Sequence, residues 1–105
     1  MTNHQAILNL ALVTEVKALQ LIAAALAAGR VEFTYHALNE SMPDRNLSIS
    51  DVLGALETAT SGEPQNEEGT KWKVCGSLLN DEELAVVVRI RDQRVVVVIT
   101  AHAPP

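Results

Sequence analysis

Leu84-Ala85-Val86-Val87-Val88-Arg89-Ile90-Arg91-Asp92-Gln93-Arg94-Val95-Val96-Val97-Val98-Ile99-Thr100-Ala101 is the stretch whose reading decides the fold. Two runs rich in β-branched residues flank two polar ones, the pattern of a strand, a tight turn and a returning strand. With the turn closed at Asp92-Gln93, Arg91 faces Arg94, Arg89 faces Val96, Val87 faces Val98 and Ala85 faces Thr100, all on one face. The other face carries Leu84, Val86, Val88 and Ile90 against Val95, Val97, Ile99 and Ala101. It is wholly apolar, so other elements must cover it. The half-polar face is left to bind something.

Working outward, a third strand runs from about Lys71 to Leu78 and reaches this hairpin through a turn at Asn80-Asp81-Glu82. Trp72 alternates with Lys71 and Lys73 and so belongs to the core, while both lysines join Arg89 and Arg91 on the open side. Before it, Gly62, Pro64 and Gly69 bracket a polar, acidic loop. Ser48-Ile49-Ser50-Asp51 reads as a capping box opening a helix with an inward stripe of Ile49, Val52, Leu53 and Leu56. Val31 to Phe33 forms a short strand. Thr34 then caps a brief helix that Pro43 stops near Met42. Leu8, Leu12, Val16, Leu19, Ile22 and Leu26 recur at helical spacing, as one long helix or two, with Gly29 at the end. The fold class expected is α+β: residues 1–105 form one domain, with helices over about 5–60 packed on one face of an antiparallel sheet over about 70–102.

Composition narrows the function. Only Phe33, Tyr35 and Trp72 are aromatic, which leaves few platforms for stacking bases. A net charge of −5 argues against coating nucleic acid by bulk electrostatics. The cations are nevertheless concentrated on the strands, and Glu57, Glu63, Glu67 and Glu68 gather in the middle of the chain. The lone Cys75 excludes an internal disulfide and a cysteine-based zinc site, in keeping with a reducing cytoplasm. Glu15 and Lys17 interrupt the apolar run that ends in Ala18 to Ala28, and nothing basic precedes it, so neither a signal peptide nor a membrane span is expected. The sequence contains no phosphate-binding glycine loop, metal-ligand spacing or nucleophile elbow, and no metal or cofactor is expected.

Isolated polar residues remain. His36 and His102 are each able to serve as general acid or base, or as a structural or solvated residue. In the register above His102 lies opposite Glu83, about 20 Å from Arg89 at about 3.4 Å per residue, too far to share a compact site. Lys71, Lys73, Arg89 and Arg91 can contact phosphates or simply keep the face solvated. Cys75 shares the lysines' side of its strand.

Val31-Glu32-Phe33-Thr34-Tyr35-His36-Ala37-Leu38, then Asp44-Arg45-Asn46-Leu47-Ser48-Ile49-Ser50-Asp51-Val52, resembles an uncharacterised bacterial domain family that reads V-x-F-T-x-H-A followed by R-G-I-(S/T)-x-x-D-V. Val96 to Ala101 is similar to its last strand, Arg45 matches its arginine, and Ser41 stands where a second arginine is common. That family is similar to the RelE-like toxins, small α+β ribonucleases of toxin–antitoxin pairs. The element order also resembles the motility quorum-sensing regulator toxin through Val16-Lys17, Ala28-Gly29-Arg30-Val31 and Thr70-Lys71-Trp72-Lys73. The resemblance implies metal-independent cleavage of mRNA by acid–base groups. It also implies association with RNA or the ribosome, and a small antitoxin partner, often with a zinc finger and a helix-turn-helix. Lys73 occupies the position of the toxin's polar residue after its tryptophan, and Ala85 stands at a strand position where tyrosine is expected.

Two functions follow as expectations. One is a toxin-like endoribonuclease with His36, Lys73 and His102 as catalytic candidates and Arg45, Lys71, Arg89 and Arg91 binding RNA. The other is a non-catalytic module that binds a protein, or a second copy of itself, through Val87, Val96 and Val98 on the half-apolar face.

Overall fold

In the computed structural model, which describes residues 3–102 and the side chains of residues 15–100, nine elements follow one another. They are α1 (Asn3–Ala28), β1 (Val31–Phe33), a π-helical turn (Ala37–Ser41), a 3-10 turn (Pro43–Arg45), α2 (Ile49–Glu57), β2 (Ser61–Pro64), β3 (Lys71–Ser77), β4 (Glu83–Arg91) and β5 (Arg94–His102). The strands form one sheet in the order β1-β5-β4-β3-β2. All pairings are antiparallel except β1 with β5, which is parallel, so the sheet is mixed rather than purely antiparallel. The fold is α+β, with helices on one sheet face.

Alternation in β3 and β4 does what the pattern requires. Trp72, Val74, Leu84, Val86, Val88, Val95 and Val97 turn inward and meet Ala18, Ile22 and Ala25 of α1, Val52, Ala55 and Leu56 of α2, and Ala37 and Met42. Trp72 is 1% exposed, and its indole N–H donates to the Gly69 carbonyl at 2.8 Å, so the one large ring brings no unsatisfied donor into the core. Gly76 lets α2 lie directly on β3: a Cβ there would stand 1.8 Å from the Ala55 carbonyl oxygen.

Helix ends are set locally. Gly29, at φ +70°, ends α1 while Arg30 N–H bonds the Ala25 carbonyl. Ser48 and Asp51 form the reciprocal capping box at 3.1 and 2.9 Å. Thr34 accepts the Ala37 N–H at 3.1 Å, but the helix it starts widens to π geometry. Pro43 explains this, because its ring crowds the carbonyl four residues back and it has no N–H to give, so Met42 N–H reaches Ala37 instead.

Four sequence readings are corrected. Residues 61–64 form a strand, where only a polar loop was expected; it is short and contains Gly62 and Pro64, so it lacks a strand's composition. Its one outward N–H, from Gly62, is taken by the Glu15 carboxylate at 3.1 Å. Val16 of α1 is 53% exposed and Ile49 of α2 49%, with alanines filling the stripe instead; Leu8 and Leu12 fall outside the described side chains. Most consequential is a bulge between Val87 and Val88. The register holds from Arg91↔Arg94 to Val88↔Val97, then slips so that Val87 pairs Ile99, Val86 pairs Thr100 and Leu84 pairs His102. Thr100 therefore enters the core and Ile99 comes out, the reverse of the unslipped hairpin. The buried Thr100 is met by Ser41, whose hydroxyl accepts its N–H at 2.7 Å, donates to its carbonyl at 3.1 Å and lies 2.8 Å from its Oγ1.

Candidate nucleic-acid interface

The face of the sheet away from the helices receives the other alternate residues. Because Trp72 and Val74 are buried, Lys71, Lys73 and Cys75 of β3 point out; because Val88 is buried, so do Val87, Arg89 and Arg91 of β4. Lys71 is directly opposite Arg89, and Arg91 is directly opposite Arg94. The five cations form a staircase across the sheet: Lys73 to Lys71 along β3, across to Arg89, along β4 to Arg91, across to Arg94. Steps along a strand are about 7 Å and steps across about 5 Å, so the staircase is about 17 Å from end to end. It holds five of the eight Lys and Arg of an acidic chain.

Like charges placed opposite each other on a sheet repel. Among the described residues, none of Lys71, Lys73, Arg89 and Arg91 makes an ion pair or side-chain hydrogen bond, and residues 1–14 and 101–105 contain no Asp or Glu side chain to supply one. An acid stands at each end: Glu63 of β2 pairs in register with Lys73, and Glu32 of β1 lies 3.7 Å from Arg94 in an exposed contact. Asn66 orders the lower end by accepting the N–H groups of Thr70 and Lys71 at 3.0 and 3.2 Å. Beside the cations is an apolar strip of Val87, Val96, Val98 and Ile99, the last 38% exposed.

The other candidates lie elsewhere. His36 belongs to the helical segment that packs through Ala37 on the covered side, and its Nδ1 is 2.5 Å from the Glu40 carboxylate on the same segment. Arg45 is exposed in the 3-10 turn, off the strands. His102 pairs with Leu84 rather than standing opposite Glu83, about 17 Å along β4 from Arg89, and its side chain is outside the described set. Lys71, Lys73, Arg89 and Arg91 are brought together; the two histidines and Arg45 are not brought to them. Glu63 and Arg94 join the group, although neither was among the residues singled out. Arg94 follows from the hairpin register, whereas Glu63 depends on β2, which no period announces.

A family model matches residues 33–102, from the last residue of β1 through β5. The chain belongs to the DUF4258 family, a domain of unknown function. The DUF4258 match contains the whole staircase, both histidines under consideration and Arg45, and α1 precedes it. No curated protein and no solved structure matches the chain. Among the described residues no helix is long and apolar enough to cross a membrane, and no group of His, Cys, Asp and Glu is placed to hold a metal ion.

Proposed function

We propose that this DUF4258 domain is a toxin-like endoribonuclease that takes mRNA on its open sheet face and is held in check by a small antitoxin protein of the zinc-finger or helix-turn-helix kind. The observation that carries the reading is the cluster of four cations without an intramolecular partner, an arrangement whose repulsion a polyanion relieves. The resemblance of the Thr70-Lys71-Trp72-Lys73 strand to the toxin strand supports it.

In such a cleavage the ribose 2′-oxygen attacks the adjacent phosphorus. The O2′–P bond forms, the P–O5′ bond breaks, and the products are a 2′,3′-cyclic phosphate and a free 5′-hydroxyl. Lys71 and Arg89 neutralise the non-bridging oxygens as charge grows on them. Lys73, at the lower end of the staircase, gives a proton to the departing O5′, and the Glu63 carboxylate in register beside it takes the 2′ proton. This assignment leaves His36, Arg45 and His102 outside the chemistry.

Tightly induced expression of the wild-type chain in bacteria is expected to arrest growth and degrade RNA, and a Lys73→Ala/Arg89→Ala chain at equal soluble level is expected to do neither. RNA loss with both proteins would remove the assignment. Normal growth and intact RNA with both would favour the second reading, a protein-binding module. That reading draws on the exposure of Ile99 beside Val87, and its check is light scattering of the isolated chain for a self-associated form.

A further inference from the structure

We infer that the staircase is a track for the phosphodiester backbone of a single nucleic-acid strand and reads no bases. The inference rests on the proposed function only in placing the substrate on the same face. Three observations carry it.

The sheet face offers no aromatic ring on which a base could stack. Trp72 is buried with its N–H bonded, Phe33 packs against the core, and Tyr35, 77% exposed, sits in the helical segment that follows β1 and not on a strand. Stacking of bases on aromatic rings is the usual source of affinity for unpaired strands, so here the cations must supply it. Nor does the staircase carry the amide side chains that read adenine or the acids that read cytosine; beside its cations stand Val87, Val96, Val98, Ile99, Cys75 and Ala85.

The cations are spaced as a line. The staircase is one side chain wide, and its steps of about 5 and about 7 Å come close to the separation of successive phosphates along an extended strand. A single backbone fits such a line; the paired backbones of a duplex do not.

The line is closed at both ends. Glu63 beside Lys73 and Glu32 beside Arg94 repel phosphates beyond the staircase, so the occupied length is limited to about four phosphates. A strand displacing Glu32 from Arg94 gives up little, because an exposed ion pair of this kind is weak.

The experiment is fluorescence anisotropy of the full chain with labelled uridine, adenosine and cytidine homopolymers, the thymidine deoxy-homopolymer and an RNA duplex, across a salt series. Expected are affinities within about threefold for all four single strands and log K falling against log salt with a slope of about −3, as about 0.7 per neutralised phosphate gives for about four phosphates. Lys73→Ala is expected to flatten that slope by about 0.7 equally for every base, Lys73→Arg to preserve it, Glu63→Gln to tighten binding, and Lys17→Ala on α1 to change nothing. A spread above about tenfold between bases, preference for the duplex, a slope near zero, or an unchanged slope in Lys73→Ala overturns the inference. Binding with these features but without cleavage keeps the track and removes the endoribonuclease; cleavage with strong base preference does the opposite.

Discussion

The two faces of the sheet are made from the same strands by taking alternate residues, yet they meet opposite requirements. On the covered face, every contact is closed: the valines of β3, β4 and β5 meet α1 and α2, and no buried side-chain nitrogen or oxygen among the described residues lacks a partner. On the open face Lys71 stands opposite Arg89 and Arg91 opposite Arg94, and none of Lys71, Lys73, Arg89 and Arg91 makes an ion pair among the described residues. Stability comes from the first face and is reduced by the second. A chain with 13 acidic residues could have placed them among these cations, and the nearest acids in register instead stand only at the ends. Repulsion kept where it could be relieved points to a ligand that relieves it.

The comparison breaks most severely at Gly76. Gly76→Ala drives a methyl group into the Ala55 carbonyl, and since that atom is backbone, α2 must lift from β3. A loss of about 3 kcal/mol in urea unfolding is expected, with the open face intact only while the chain remains folded. A loss below about 1 kcal/mol would mean that the helix yields easily and that the covered face is less closed than described.

Ser41→Ala is the next largest. It removes the partner of the buried Thr100 N–H and carbonyl at the point where β1 has ended and β5 would otherwise have a bare edge. About 2 kcal/mol should be lost, while RNA binding by the folded protein stays as in wild type.

Gln93→Gly is the smallest effect and has the opposite sign. Asp92 and Gln93 both hold positive φ, 51° and 64°, and only the Arg30 guanidinium at 2.9 Å from the Gln93 oxygen offsets the second. Glycine there should stabilise by about 0.5 kcal/mol, measured as a raised unfolding midpoint.

The comparison also explains what the sequence revealed. Elements whose composition matches their period were legible: β3 to β5, the Asp92-Gln93 turn, the Ser48-Asp51 box, and Trp72 as a core residue. Their alternation alone placed Lys71, Lys73, Arg89 and Arg91 together. Elements that exist through tertiary contact were not legible. β2 is read as a loop because Ser61-Gly62-Glu63-Pro64 has neither alternation nor β-branching, and only pairing with β3 makes it a strand. The parallel seat of β1 on β5 joins residues some sixty positions apart and leaves no local mark. The bulge beside Val88 is silent in a run of like valines, where a one-residue slip leaves the pattern unchanged, and it alone exchanges Thr100 for Ile99. Glu63 was missed with β2. His36 was visible as a residue type, but its side of the sheet was not.

Measuring stability and function on one protein, Lys73→Ala/Arg89→Ala, tests most directly that the open face is maintained for a ligand rather than for the fold. Its urea midpoint should equal or slightly exceed that of the wild type, since repulsion is removed, while RNA cleavage on induction and the salt-dependent binding of a uridine homopolymer are lost. An unfolding free energy that falls by more than about 1 kcal/mol, or RNA cleaved and bound as by the wild type, would contradict it.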